Sequence, residues 1–113
     1  MNLIEIEALA DKLEDLLTEE ATQIAEVAAQ KEILAHARAT ALLSSEEWST
    51  AKNDRTADAI AVLILAGDES WQEELIKLED KQAVLNDLTN RRKGHETYIS
   101  LVKAWLYSQG PKL

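Results

Sequence analysis

The chain contains no cysteine and no phenylalanine, and its 113 residues include only three glycines and one proline. The missing cysteine excludes a disulfide framework and any thiolate metal site, and it suits a reducing cytoplasm. So little glycine and proline leaves few turn signals, which argues against a β-rich fold. Aromatic residues are sparse as well: Trp48, Trp71, Tyr98, Trp105 and Tyr107. Long hydrophobic runs are missing. The longest, residues 59–66, has eight residues, against about 20 needed to cross a bilayer. Met1-Asn2-Leu3-Ile4-Glu5 has neither the basic flank nor the apolar stretch of a signal peptide. The expectation is a cytoplasmic protein with no membrane partner.

Hydrophobic residues make up 46% and charged residues 29%, a balance far from that of disordered chains, and the length suits one domain over residues 1–113. The net charge of −9 is unevenly spread. Segments 1–43, 44–70, 71–90 and 91–113 carry −6, −4, −3 and +4. An acidic total disfavours indiscriminate binding to nucleic acid, but it leaves room for a local basic site. The basic tail has a second reading, packing near the acidic first helix within one subunit or between neighbours.

Two rows of apolar residues recur every seven positions near the start: Leu3, Ala10, Leu17 and Ile24, and Ile6, Leu13, Val27, Leu34 and Ala41. Glu20 interrupts the second row. With no glycine or proline before residue 67, this predicts one amphipathic helix from about Leu3 to Leu43. Forty residues rising ~1.5 Å each make a rod about 60 Å long. Such a rod cannot bury its stripe in a compact globule built from the rest of the chain, so association into a homo-oligomer is expected.

Ser44 followed by Glu47 reads as a capping box after the first helix, and residues 45–53 are a short helix, a loop or the first turns of the next helix. A helix then starts at Asn53 or Asp54 and runs to about Ala66. Its residues 59–66 are apolar all round, which predicts burial on every side, including Ile60, Leu63 and Ile64. Gly67 suits the position after a helix end, and Ser70 with Glu73 forms a second capping box. A third helix starts at Trp71, and Gln109-Gly110-Pro111 ends the fold. That helix either continues through Gly94, at a cost of about 1 kcal/mol relative to alanine, or breaks there. The fold class is therefore all-α: a long N-terminal helix, a short buried second helix and a long third one.

Catalytic readings fail on the residues. There is no glycine-rich phosphate loop, no His-Glu-x-x-His pair and no calcium-loop spacing. Glu32 and His36 stand four apart on one helix, but two ligands do not make a metal site. No catalytic residue, metal or cofactor is expected. Trp71 reads as a core anchor, and Tyr98, Val102 and Trp105 as a core or subunit stripe. Trp48 differs, because it lies between helices near Lys52 and Arg55. A tryptophan among bases suits stacking on single-stranded nucleic acid, while a hydrophobic staple explains it equally. Arg91-Arg92-Lys93 is the densest basic step, and pairing with acids of a neighbouring helix is its other reading.

The layout resembles the UvsY-type recombination mediators of bacteriophages. Gln30-Lys31 and Ala37-Arg38 late in a long first helix are similar to the corresponding stretch of that family. A hydrophilic connection over residues 44–54, an apolar second helix and a long third helix with a late Arg91-Arg92-Lys93-Gly94 step follow in the same order. The similarity covers roughly residues 20–110. It implies a ring-forming helical protein that binds single-stranded DNA and helps to load a recombinase where single-strand-binding protein sits, in the host cytoplasm if phage-encoded. The family's DNA-binding step falls on Arg38, beside His36, where this chain carries a single firm base. The residues expected to meet DNA are thus Arg38, Trp48, Lys52, Arg55, Arg91, Arg92 and Lys93. Two other readings remain: a small acidic adaptor or inhibitor whose first helix meets a basic protein surface, and a structural oligomeric scaffold.

Overall fold

The computed structural model describes residues 1–109, and every regular element among them is helical. In chain order they are α1 (Leu3–Leu43), α2 (Glu46–Ser49), α3 (Asp54–Ala66) and α4 (Glu69–Gln109). The expected end at Gly110-Pro111 lies outside the described residues. α4 is unbroken through Gly94, so the continuous reading of the third helix holds. The stretch rich in Leu, Glu, Lys and Gln over residues 72–85, followed by Arg91-Arg92-Lys93, outweighs the single glycine.

The helix starts are set by short polar side chains. At the first, Asn2 and Glu5 cap one another: Glu5 N–H donates to Asn2 Oδ1 at 2.9 Å, and Asn2 N–H to Glu5 Oε2 at 3.2 Å. The cap of α2 is Ser45, not Ser44. Trp48 N–H donates to Ser45 Oγ, while the Ser44 hydroxyl turns back to Thr40 O at 2.8 Å. Asn53 caps α3 through Thr56 N–H at 2.8 Å. α4 begins two residues before Trp71, because Asp68 rather than Ser70 is its cap, taking Trp71 N–H at 2.7 Å. A carboxylate there also complements the positive end of the helix. Gly67 is not left-handed: its φ is −99°. α3 closes instead by a tightened last turn, Gly67 N–H to Ile64 O and Asp68 N–H to Leu65 O, both at 3.2 Å.

Residue contacts gather into two units. One joins Met1–Ile24 with the described residues from Ala83, and the other is Ala25–Gln82. In the second, Leu42, Ala61 and Leu65 form a small core, with Trp48, Ile64 and Trp71 packed against it. α3 is not buried on every side. Ala61 and Leu65 are buried, Ile60 and Ile64 are half-buried, and Val62 and Leu63 remain 67% and 75% exposed. A single chain offers α3 neighbours on one flank only, so its all-round apolarity exceeds what the monomer can cover. Gln30, 2% exposed, is held by two bonds from Nε2, to Glu74 O at 3.0 Å and to Glu74 Oε2 at 2.6 Å.

The first unit is an antiparallel pair formed by the start of α1 and the end of α4. The sequence's two heptad rows separate here. Leu13 and Glu20 of the second row turn toward α4 and are half-buried and buried, whereas Leu3, Leu17 and Ile24 of the first are 68%, 45% and 52% exposed. Polar contacts set the register of the pair. Arg92 Nε donates to Glu20 Oε1 at 2.8 Å, and His95 Nε2 donates to Leu9 O at 2.8 Å.

Candidate nucleic-acid interface

The residues expected to meet DNA divide between the two units. Arg38 on α1, Trp48 on α2, Lys52 in the connection and Arg55 on the first turn of α3 belong to Ala25–Gln82. Arg91, Arg92 and Lys93 lie on α4 in the other.

Arg38, Lys52 and Arg55 are exposed and form no ion pair among the described residues. A solvated guanidinium on a helix surface keeps its full charge available to a phosphate. Acids accompany them: Glu46, Glu47, Asp54 and Asp58 stand in the same stretch, so any strand must pass between like-charged groups. Trp48 is only partly open. Its indole is packed on the Leu42–Ala61–Leu65 core, and its backbone N–H donates to the Ser45 cap. This corrects the expectation of an exposed stacking platform. A four-residue helix has no room for a core of its own, so its one large apolar side chain folds inward.

The Arg91-Arg92-Lys93 step is largely absorbed by neighbouring acids. Arg91 pairs with Asp87 at 3.0 Å on its own helix. Arg92, whose side chain is 20% exposed, bridges Glu20 at 2.8 Å and Glu96 at 3.1 Å. Thr89 and Arg92 hold the Glu20 carboxyl below its ordinary value of 4.5. The second carboxylate oxygen, Glu20 Oε2, is buried without a hydrogen-bond partner among the described residues. Glu20 and Glu96 in turn raise the Arg92 guanidinium above its usual range. Lys93 alone of the three is exposed without an ion pair among the described residues.

A hollow of about 410 Å³ beside His36 contains Ser44, Ser70, Asp68 and Glu74. Three of its polar side chains are engaged in holding the fold. The Ser44 hydroxyl bonds to Thr40, Asp68 caps α4, and Glu74 receives Gln30 and Lys77. Gln30 and Lys77 hold the Glu74 carboxyl below its ordinary value of 4.5, which suits an acceptor and not a proton shuttle at neutral pH. Among the described residues no group of three or more His, Cys, Asp or Glu side chains could hold a metal ion. No described helix is long and apolar enough to cross a membrane.

Sequence reasoning missed the Gln30–Glu74 and His95–Leu9 contacts. The signal for the Arg92 bridge was present, since Glu20 was the one charge in an apolar row. Compared with known proteins, the chain matches no family model, no curated protein and no solved structure.

Proposed function

We propose that the protein acts by assembly and binding, as a helical homo-oligomer of the recombination-mediator kind that holds single-stranded DNA through Arg38, Lys52 and Arg55. The observation that carries the reading is the contrast between the two basic groups. Arg91 and Arg92 of the α4 step are drawn into ion pairs with Asp87, Glu20 and Glu96, which leaves Lys93 there, while Arg38, Lys52 and Arg55 all stand exposed and unpaired among the described residues. Assembly repeats the three-cation set, so a weak contact in each subunit adds up along one strand. Supporting the oligomer, Leu3, Ile4, Leu63, Leu101 and Tyr107 are each at least 65% exposed, more large apolar surface than a solitary domain usually leaves in water.

Binding of a labelled poly-dT strand by fluorescence anisotropy, paired with light scattering, tests both halves. Arg38→Glu with Arg55→Glu is expected to abolish binding and leave the particle mass unchanged. A second reading is favoured by one observation: the seven acids before residue 21 against one base, all seven but Glu20 exposed. That surface suits a basic protein partner, and an absence of DNA binding at low salt would make it the leading reading.

A further inference from the structure

The antiparallel pair formed by Met1–Ile24 and the end of α4 is apolar on two opposite faces. Successive helix residues turn by about 100°, so Ile6, Ala10 and Leu17 fall to one side of the inward stripe of α1, and Glu5 and Lys12 to the other. On the first side Ile6, Ala10, Leu13, Ile99 and Leu106 enclose a groove of about 290 Å³, with Lys103 at its edge. On the second, Tyr98, Leu101 and Trp105 form a ridge at i, i+3 and i+7, exposed by 49%, 65% and 50%. The hollows along this ridge involve Glu5 near Trp105, and Lys12 and Arg91 near Tyr98.

We propose that copies of the chain join head to tail through these faces, the Tyr98–Leu101–Trp105 ridge of one copy filling the Ile6–Ala10–Ile99 groove of the next. This rests on the assembly half of the proposed function and specifies its contact. The shapes are complementary, a row of large side chains against a trough with the half-buried Leu9 and Leu13 below and the small Ala10 at its side. The charges at the margins are complementary as well. Lys103 lines the groove, and Glu7 and Glu14 flank Ala10 one turn away on α1, while the ridge has Glu5 at one end and Lys12 at the other, where Arg91 is already paired with Asp87. Both faces thus carry an acid and a base at their margins, and such charges steer an encounter and favour one direction of docking. A two-fold dimer would cover one face and leave the other in water. A head-to-tail contact covers both with a single kind of interface, and it continues until the rotation closes.

Because the chain has no cysteine, single cysteines report the contact cleanly. Ala10→Cys and Leu101→Cys chains are prepared separately, mixed, and treated with a short bis-maleimide. Cross-links should form in the mixture and in neither variant alone, and the double variant should give a ladder of covalent multimers. Cross-linking of either single variant with itself would show two-fold pairing and overturn the proposal while leaving the oligomer standing. So would an oligomer by light scattering that yields no cross-link at all. A monomer by light scattering of the unsubstituted protein would instead remove the assembly reading itself. As an independent check, Trp105→Glu should cut the particle mass to 12.6 kDa with its helical circular dichroism retained. Unchanged mass would overturn the proposal.

Discussion

Arg92 Nε and Glu20 Oε1 meet at 2.8 Å, joining α4 to α1 at the one position where the inward row of α1 carries a charge. The row otherwise runs Leu13, Val27, Leu34 and Ala41, all buried or half-buried. A charge there costs desolvation, and its benefit is register. Only one sliding position of the two helices brings a guanidinium to this carboxylate.

Replacing both partners separates the two effects. Glu20→Leu with Arg92→Leu removes the ion pair and leaves apolar side chains in contact. Its thermal midpoint should equal or exceed that of the parent, whereas Arg92→Leu alone should lower it by stranding a buried carboxylate. A double variant less stable than the parent would show that the pair contributes net stability.

Acid should weaken the fold in a defined window. The carboxyls of Glu20 and Glu74 titrate below their ordinary 4.5 in the folded chain. Each therefore contributes stability that is fully present above that value and is lost as pH falls through the folded value. Thermal melts should show a midpoint insensitive to these groups at neutral pH and falling below pH 4.5. Glu74→Gln and Glu20→Gln should each flatten that decline, and an undiminished decline in both would put the acid sensitivity elsewhere.

Helix-level structure was legible because it depends on composition and spacing that neighbours do not alter. The seven-residue rows placed α1 at Leu3–Leu43, and Asn53 announced the start of α3. Side-chain detail was less accessible. Ser44 and Ser45 are chemically equivalent as caps, and the choice depends on where α1 releases the chain. Trp48 among bases looked like a stacking platform, but packing on Leu42 outweighs the proximity of Lys52 and Arg55 in sequence. Burial of Leu63 could not be read from an apolar run, which gives the area to be covered and not what covers it.

Core substitutions should follow the structure. Leu65 is 8% exposed and packs with Leu42 and Ala61, so Leu65→Ala should cost about 2–5 kcal/mol. Leu63, 75% exposed, should cost under about 0.5 kcal/mol when replaced by alanine in a monomeric background such as Trp105→Glu. Urea denaturation of the two variants measures the difference. Equal losses would mean that α3 packs by its other flank.

Gly94 interrupts no helix and touches nothing: a Cβ built on it meets no atom within 4 Å. Gly94→Ala should therefore stabilise the protein by about 0.5–1 kcal/mol, by reducing the freedom of the unfolded chain. A thermal melt decides the sign. Destabilisation would show that α4 bends at this position in solution, or that another subunit approaches the glycine closely.

The DNA contact makes a quantitative demand. Every phosphate neutralised on a single strand releases condensed counterions, and the logarithm of affinity falls with the logarithm of salt by about 0.7 per contact. If Arg38, Lys52 and Arg55 all engage, poly-dT binding should fall with a slope of about −2 for each subunit that touches the strand. Lys52→Gln should reduce that slope by about 0.7, and Arg38→Gln should do the same. Arg91→Gln should leave it unchanged, since that guanidinium pairs with Asp87 at 3.0 Å. Trp48→Leu distinguishes stacking from charge: it should leave the slope intact, because a packed indole carries no counterion, and should act mainly on stability through the Leu42 core. A slope that responds to Arg91 and not to Arg38 would move the strand to α4, and a slope near zero would mean that phosphate is not the ligand.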